Sequence, residues 1–414
     1  MWKCFASRRS KRISCLLGAG ATIPVGGPTT AVITRAARAK LQRAVVDKTA
    51  NTWGDIPFIE DIAKELDDFL SPDACHFEDI FDVLESLDSY RTGWDPSTTS
   101  KFKPRLGAFV ASKDPKWFDS FSLICAKRDL LQTIAENIEA SITAFSPNGS
   151  HKWFRDFWIN AFSKAMWDVG TLNYDSLLQT IHPDLEDGYP PSSDFARFSP
   201  SQLRRLGRSR ILHLHGSVFY GHIPHGKTTD VFVDGWDDLC KFNEISEARA
   251  TWFGRSNATS QSHEETVIGP LITGLRKTDK LTAHPYDDYQ AVFRESLYHS
   301  PRLLIAGYSF GDLYLNSIVN RMYSLHGKNR RIVIVSFVPG GQSSWHSDPH
   351  LCEWMNDEMF NAFAFATGSR APLGKSLRYT SYLSSDDGCC KTYFGGTAEA
   401  FTKHGDEIIQ FLKS

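Results

Sequence analysis

Four short polar segments, far apart along the chain, contain the residue types that bind nucleotides and transfer protons. Each follows or ends a short apolar run, which predicts a buried strand. In an open α/β sheet, ligands bind at the carboxyl ends of the strands, where loops and helix N-termini gather. The sequence therefore predicts that the segments meet at one nucleotide site. They are Gly18–Pro24 (GAGATIP), Thr171–Asp175 (TLNYD), His213–Ser217 (HLHGS) and Gly307–Asp312 (GYSFGD).

The first segment predicts a turn that brings backbone amides and a helix N-terminus close to a pyrophosphate. Gly18 and Gly20 follow the apolar run Ile13–Leu17, but Ile23 replaces the third glycine of the usual dinucleotide pattern. No acidic residue lies on a clear second strand about 20 residues later, where a dehydrogenase holds the ribose. These departures disfavour an ordinary dehydrogenase. A tight strand-to-helix turn without a ligand remains the alternative.

The next two segments carry the side chains suited to acid–base chemistry. Asn173 could orient a water molecule or a ribose hydroxyl, whereas Asp175 either binds the sugar or caps the following helix. His215 lies near a strand end and precedes a glycine, a position suited to proton transfer near neutral pH. His213 should share its face, because the two histidines alternate with Leu214. No third ligand follows at a recognisable spacing, so we expect no metal.

The fourth segment ends another predicted strand. Gly307 would allow a close backbone approach. Ser309 and Asp312 could bind ribose hydroxyls or cap the next helix, and capping alone would explain Asp312.

Strands that alternate with helices predict an α/β fold with a doubly wound, mostly parallel Rossmann-like sheet. Ala31–Val46 is rich in helix formers and predicts the first helix. Apolar residues at helical spacing predict a large helical insertion at about residues 50–165. Residues 339–414 form a C-terminal extension that is irregular and aromatic, with a final helix at Ala398–Leu412.

The composition of the 414 residues narrows the class of protein. A net charge of -2 gives no electrostatic reason for direct nucleic-acid binding. No apolar run approaches the roughly 18 residues of a membrane span. None of the eight cysteines forms a C-x-x-C pair, and scattered thiols in so large a chain suggest a cytoplasmic protein.

The order and wording of the four segments resemble the sirtuin family. The matching text covers residues 13–30, 168–179, 211–217 and 303–317, although the implied domain spans about residues 13–338. Sirtuin deacylases carry a four-cysteine zinc module after the catalytic histidine, whereas Cys240 is the only cysteine in that region here. Tyr174 also stands where deacylases usually have isoleucine. The last segment, with Leu315 and Asn316 after it, is similar to the zinc-less sirtuin-like NAD hydrolases of bacterial antiviral defence.

This resemblance implies that NAD is the substrate, that no metal is needed, and that Asn173 and His215 are catalytic. It also implies that residues 1–338 form the NAD-binding catalytic domain. The residues expected to bind NAD are Gly18, Ala19, Gly20, Ala21, Pro24, Thr171, Asp175, Gly307, Ser309 and Asp312.

The helical insertion and the extension exceed what a minimal NAD-binding sheet requires. They either cover the sheet or build a homo-oligomer, such as a ring that docks a HerA-type ATPase or another defence partner. The resemblance implies an NAD glycohydrolase that cleaves NAD to nicotinamide and ADP-ribose, and two alternatives stay open. One is an NAD-dependent protein deacylase or ADP-ribosyltransferase, and the other is a non-catalytic nucleotide-sensing scaffold.

Overall fold

The computed structural model describes residues 12–47, 52–70, 75–91, 120–205, 207–222, 231–233, 239–252, 254–256, 270–274, 281, 284–337, 367–368, 382–385 and 387–414. Its strands are β1 (Arg12–Leu17), β2 (Gln42–Asp47), β3 (Thr52–Ile56), β4 (Met166–Thr171), β5 (Phe195–Arg197), β6 (Arg210–His213), β7 (Tyr220–His222), β8 (Val231–Val233), β9 (Leu239–Phe242), β10 (Gly254–Ser256), β11 (Arg302–Ala306), β12 (Arg331–Val335), β13 (Tyr382–Ser384) and β14 (Cys390–Tyr393). Its helices are α1 (Thr30–Arg38), α2 (Phe58–Leu70), α3 (Phe77–Arg91), α4 (Ser120–Ala144), α5 (Lys152–Lys164), α6 (Leu177–Ile181), α7 (Pro200–Leu203), α8 (Ile245–Ala250), α9 (Tyr286–His299), α10 (Leu313–His326) and α11 (Gly396–Lys413).

The central sheet has the strand order β13-β14-β12-β11-β1-β4-β6. Six of these strands are parallel, and β13 is antiparallel to β14 at one edge. This confirms the predicted α/β fold with a mostly parallel Rossmann-like sheet. From β1 the chain builds β4 and β6 on one side and later β11, β12 and β14 on the other. The strand order therefore reverses at β1, and ligands of open α/β sheets bind at such a switch point.

Helices cover both faces of this sheet. In β1, Ile13 and Leu17 belong to the apolar cluster formed with α5 and α11, while Leu16 belongs to the cluster formed with α9 and α10. On the first face the rings of Phe157 in α5 and Phe401 in α11 stack with centroids 3.7 Å apart. Because both faces are buried, the strands are nearly continuous apolar runs.

A separate apolar cluster lies in the helical insertion, where α2, α3 and α4 pack with α1 and the β2–β3 hairpin. The helices that we predicted from apolar stripes are confirmed, and their stripes face this cluster. The fully buried members of the stripes include Phe58, Ile59, Ile80, Leu84, Leu130 and Ile134. Helix α5, at the end of the predicted insertion, instead covers the central sheet.

The prediction of a helix through Val46 is wrong, because α1 ends at Arg38. The chain then forms β2, which pairs antiparallel with β3. Gln42 also bonds outside its strand, since its Oε1 accepts from the backbone N of Ile59 at 2.9 Å. Cross-strand pairing and β-branched valines here outweigh a weak helix propensity.

Residues after position 338 complete the central sheet. Strand β14 pairs parallel with β12, and α11 packs on α5, β11 and β12. The final helix is confirmed, with bounds Gly396–Lys413. Strands β13 and β14 were not predicted, because each is only three or four residues long.

A buried ionic cluster joins β1, β4 and β6 near their N-terminal ends. Arg210 donates Nε to Asp168 Oδ1 at 2.6 Å and Nη2 to Oδ2 at 2.8 Å. Arg12 donates Nε to Oδ2 at 2.8 Å and also contacts Oδ1, while Ser296 donates to Oδ2 at 2.7 Å. Burial alone would raise the pKa of Asp168, but the charges and hydrogen bonds of Arg210 and Arg12 hold it well below its usual range.

Within the described part of the chain, no helix has both the length and the apolar character needed to cross a membrane.

Candidate active site

The four predicted segments leave the central sheet side by side. Leu17 of β1 pairs with Ala306 of β11 on one side and with Thr171 of β4 on the other. Thr171 in turn pairs with His213, the last residue of β6. Each segment therefore starts at the same level, at the carboxyl end of a neighbouring strand. The structure brings the four together around the switch point at β1.

The turns that follow β1 and β11 are in direct contact. Gly18 N donates to Ala306 O, and Gly20 N donates to Gly307 O, both at 3.0 Å. A Cβ atom on Gly18 would lie 2.4 Å from Gly307 O. A Cβ atom on Gly307, which has φ +64°, would lie 1.9 Å from Ala21 N. Contact between the turns is thus sufficient to explain these glycines without a ligand.

The same turns nevertheless offer donors to an anion. Ala19, Ser309 and Gly311 are exposed, and none of their backbone N–H groups has an acceptor among the described residues. Clustered N–H groups of this kind form concavities that bind phosphate. The N–H groups of Ala19, Ser309 and Gly311 are therefore the available donors for an anion, whereas the contact between the turns explains Gly18 and Gly307.

Gly307→Ala should destabilise the protein by about 2–4 kcal/mol, combining overpacking against Ala21 with a left-handed backbone. Gly26→Ala is the matched control, because Gly26 has φ +95° but a Cβ atom added there would have nothing within 4 Å. The control should lose only about 1 kcal/mol. Urea unfolding measures both. Equal losses in the two variants would contradict the close contact between the turns.

Asn173 is buried and reaches across the glycine turn. Its Nδ2 donates to Gly18 O at 3.2 Å and to Thr22 Oγ1 at 3.4 Å, and its backbone N donates to Thr171 Oγ1 at 3.1 Å. Its Oδ1 accepts from no residue that the structure describes. The amide is thereby held in one orientation with an acceptor available for water or a hydroxyl.

Asp175 lies at the start of α6, where its Oδ1 accepts from Leu177 N at 3.1 Å. This is the contact expected of the capping alternative. Burial raises the pKa of Asp175 to about 6, and the hydrogen bond from Leu177 opposes that shift. The protein therefore keeps a poorly solvated carboxylate two residues after Asn173.

We expect Asp175→Asn to stabilise the protein near pH 7.5. A folded-state pKa of about 6 exceeds the ordinary value of about 4, so the folded protein binds more protons between these pH values and its stability falls as pH rises through them. Removing a shift of about two units should add up to about 3 kcal/mol at pH 7.5 and little near pH 4. Thermal unfolding at both pH values tests this. Asp184→Asn, at an exposed position, is the control, and a gain equal at both pH values would refute the explanation.

The two histidines have different surroundings. His213 is buried with its Nε2 3.2 Å from Gln179 Oε1, and burial lowers its pKa to about 4, so the ring is neutral at pH 7. His215 instead has its Nε2 3.5 Å from Asp312 Oδ2. The expectation that both share one face is wrong, because β6 ends at His213 and the chain turns at Leu214. Of the two histidines, His215 is thus the one whose ring faces the loop after β11.

Residues 270–274 hold His215 in place. No sequence motif pointed to this segment. Ile272 N donates to His215 O at 2.8 Å. The hydroxyls of Tyr286 and Tyr174 donate to the carbonyl oxygens of Pro270 and Ile272, at 2.7 and 3.0 Å. Tyr174, a departure from the deacylase pattern, is thus a structural link between two strand ends.

Asp312 caps α10, since its Oδ1 accepts from Tyr314 N at 2.9 Å and from Leu315 N at 3.1 Å. The capping alternative for this residue is therefore confirmed. Ser309, three residues earlier, is exposed in the loop and remains placed to meet a ligand.

The remaining predicted residues lie close to the glycine turn. Thr171 is buried at the end of β4, and Pro24 is exposed in the 3₁₀ turn Ile23–Val25. Thr397, from the first turn of α11, donates its Oγ1 to Ala21 O at 3.4 Å. No motif pointed to Thr397, because it contacts only backbone.

The structure contains one further group with possible metal ligands among the described residues, formed by His284, Asp287 and Asp288. His284 Nδ1 is 3.0 Å from Asp287 Oδ1 and 3.1 Å from Asp288 Oδ2. Arg204 already pairs with Asp288 at 2.6 Å. The contacts with His284 and Arg204 account for this arrangement at the start of α9.

Comparison with known proteins agrees with the geometry of the sheet and its strand ends. Residues 169–358 match the family model of the SIR2-like domain. The match covers slightly less than half of the chain, and it contains the Asn173, His215 and Gly307 segments but not the glycine turn after β1. No match to this chain is found among the curated proteins.

The SIR2-like domain supports a sirtuin-like family for this protein. Since SIR2-like domains bind NAD, the match also indicates an NAD-utilising enzyme.

Proposed function

We propose that this protein is an NAD glycohydrolase that converts NAD and water into nicotinamide and ADP-ribose. The observation that carries the proposal is the placement of Asn173 and His215 beside the interlocked turns after β1 and β11. An amide acceptor, an imidazole and free backbone N–H groups are the functional groups that such a reaction needs at one site.

In this reaction the bond between ribose C1′ and the nicotinamide nitrogen breaks, and its electron pair leaves with nicotinamide. The ribose passes through an oxocarbenium-like state before the oxygen of water bonds to C1′. Asn173 Oδ1 would orient that water or the ribose hydroxyls. His215 would accept the proton that the water releases, as a general base.

The rest of the dinucleotide would lie along the two turns. The backbone of Gly18, Ala19, Gly20 and Ala21 would face the pyrophosphate, with the free N–H of Ala19 as the donor that supports this placement. Ser309, which is exposed in the loop after β11, would contact the adenosine ribose. The hydroxyl of Thr171 accepts a hydrogen bond from the backbone N of Asn173 and so helps to position that residue.

Two alternatives use the same site. In a deacylase or ADP-ribosyltransferase a group other than water attacks C1′, and in a nucleotide-sensing scaffold no group attacks it. A deacylase of the zinc-containing type requires four cysteines after the histidine, and this chain has only Cys240 between His215 and Gly307. A scaffold that only senses nucleotide has no use for an oriented acceptor amide and an imidazole at neighbouring strand ends. These arguments favour hydrolysis.

The proposal includes a role as a cytoplasmic effector of antiviral defence. Unrestrained loss of NAD would kill the host, so such an enzyme would be inactive until a trigger acts. Assembly into a homo-oligomer, alone or with a HerA-type ATPase or another defence partner, is the form of control that the resemblance to defence sirtuins favours.

The direct test incubates the purified protein with NAD, with and without candidate activators, and follows nicotinamide and ADP-ribose by chromatography. We expect both products in equal amounts. Activity should persist in excess EDTA, since the proposed chemistry uses no metal. ADP-ribose attached to protein would indicate a transferase. If chelation removed stoichiometric zinc and abolished activity, the deacylase would become the favoured function.

A further inference from the structure

The N-cap of α10 faces the proposed general base. Asp312 Oδ1 is taken up by two backbone N–H groups at the start of α10. Its other oxygen, Oδ2, lies 3.5 Å from His215 Nε2. In the described part of the chain, no other acidic side chain lies within 4 Å of this ring. The two oxygens of one carboxylate thus serve a helix and a histidine.

The position of this carboxylate is fixed by its own loop. The Tyr308 hydroxyl donates to Asn316 Oδ1 at 2.9 Å and lies 3.0 Å from the carbonyl oxygen of Asp312. Asn316 Nδ2 donates to Phe310 O at 2.6 Å, which holds Phe310 at φ +60°. A non-glycine residue in this region costs energy and persists only where its surroundings demand it. The loop therefore sets the direction of Asp312 before any ligand binds.

Among the described residues, the other groups that hold His215 in place are not acidic side chains. The segment at Pro270 and Ile272 contributes backbone atoms, and Tyr174 and Tyr286 use their hydroxyls on that backbone. The start of α10 also carries positive potential, which favours a negatively charged side chain there. Asp312 is thus the source of negative charge beside the ring.

We infer that Asp312 is a positioning residue that orients His215 and stabilises the imidazolium formed when His215 accepts a proton. This inference rests on the proposed hydrolysis. At 3.5 Å the pair is separated by more than an ordinary hydrogen bond, and catalytic contacts of this type shorten when the ring becomes charged. Under this inference Asp312 acts on His215 instead of binding the adenosine ribose. Binding of that ribose would then depend on Ser309.

The test uses Asp312→Asn and Asp312→Ser, because asparagine and serine both cap helices but lack the charge. We expect kcat to fall by about 100-fold in both variants, the lower end of what a general base contributes. The acidic limb of the pH profile of kcat/KM should change in these variants, because the charge beside the ring has been removed. A role in capping alone predicts wild-type profiles. A role in ribose binding predicts a higher KM with an unchanged kcat, and either result would overturn the inference.

A second measurement separates this inference from the proposed reaction. The imidazole of His215 is titrated by NMR in the full-length protein and identified by the loss of its signal in His215→Gln. Its midpoint should move to lower pH in Asp312→Asn, whether or not NAD is cleaved. An unchanged midpoint refutes the contact between Asp312 and His215. If the midpoint shifts in Asp312→Asn but the wild-type protein never releases nicotinamide, the contact stands and the proposed hydrolysis is refuted.

Discussion

Asn173→Ala and His215→Ala each lower the rate of NAD cleavage by about 100- to 10,000-fold, the range expected for loss of one acid–base or positioning group. Asn173 is fixed through three hydrogen bonds around the glycine turn, so alanine removes an oriented acceptor that water cannot easily replace. His215 is fixed through its backbone and faces Asp312, so alanine removes the proposed base.

The measurement is nicotinamide release under conditions in which the wild-type protein is active. Asn160→Ala and His299→Ala are matched controls on α5 and α9, since Asn160 bonds to Asp406 at the surface and His299 is exposed. Both should retain wild-type rates. Circular dichroism checks that all four variants are folded. A folded His215→Ala protein with near-normal turnover would remove His215 from its proposed role.

Asp168→Ala should have the largest effect on stability, a loss of about 3–5 kcal/mol, because it leaves two buried guanidinium groups without their common partner. Arg12, Arg210 and Ser296 all donate to this one carboxylate. Since the pKa of Asp168 is lowered in the folded protein, its stabilising contribution is present above about pH 4 and is lost only as pH falls further.

Asp406→Ala is the matched control for this loss, because its carboxylate pairs with Lys164 but its side chain is 81% exposed. Exposed pairs of this kind contribute about 1 kcal/mol or less. Urea unfolding followed by tryptophan fluorescence compares the two variants, with Trp167 next to Asp168 as a buried reporter. Similar midpoints in both variants would show that the cluster does not stabilise the sheet.

The four strands that precede the polar segments, and the helices of the insertion, could be predicted from the sequence because each carries a local signal. The strand that ends at Leu17 is an apolar run and the helix that begins at Phe58 is an apolar stripe, and both signals depend little on distant residues. The convergence of Asn173 and His215 also followed, because parallel strands end at the same edge of a sheet.

The parts that were missed depend on partners far away in the sequence. Strand β2 is defined by its pairing with β3, and β14 is a short strand that needs β12. The contact of His215 with Asp312 joins two loops, and its distance follows from a left-handed residue at Phe310 that no motif reveals. The separation of His213 from His215 similarly depends on where β6 ends.

The central place of β1 in the sheet has a consequence for synthesis on the ribosome. Both neighbours of β1 follow it in the chain, and Leu17 pairs with Ala306 only after β11 has emerged. Until then the turn after β1 lacks its contact with the Gly307 turn. Its contact with Thr397 forms later still, because Thr397 is translated after Gly307. Such distant pairing is also slow to form. A growing chain therefore lacks the contact between the two turns until β11 and the Gly307 turn have been synthesised, and we expect no consumption of NAD by the proposed enzyme before that point.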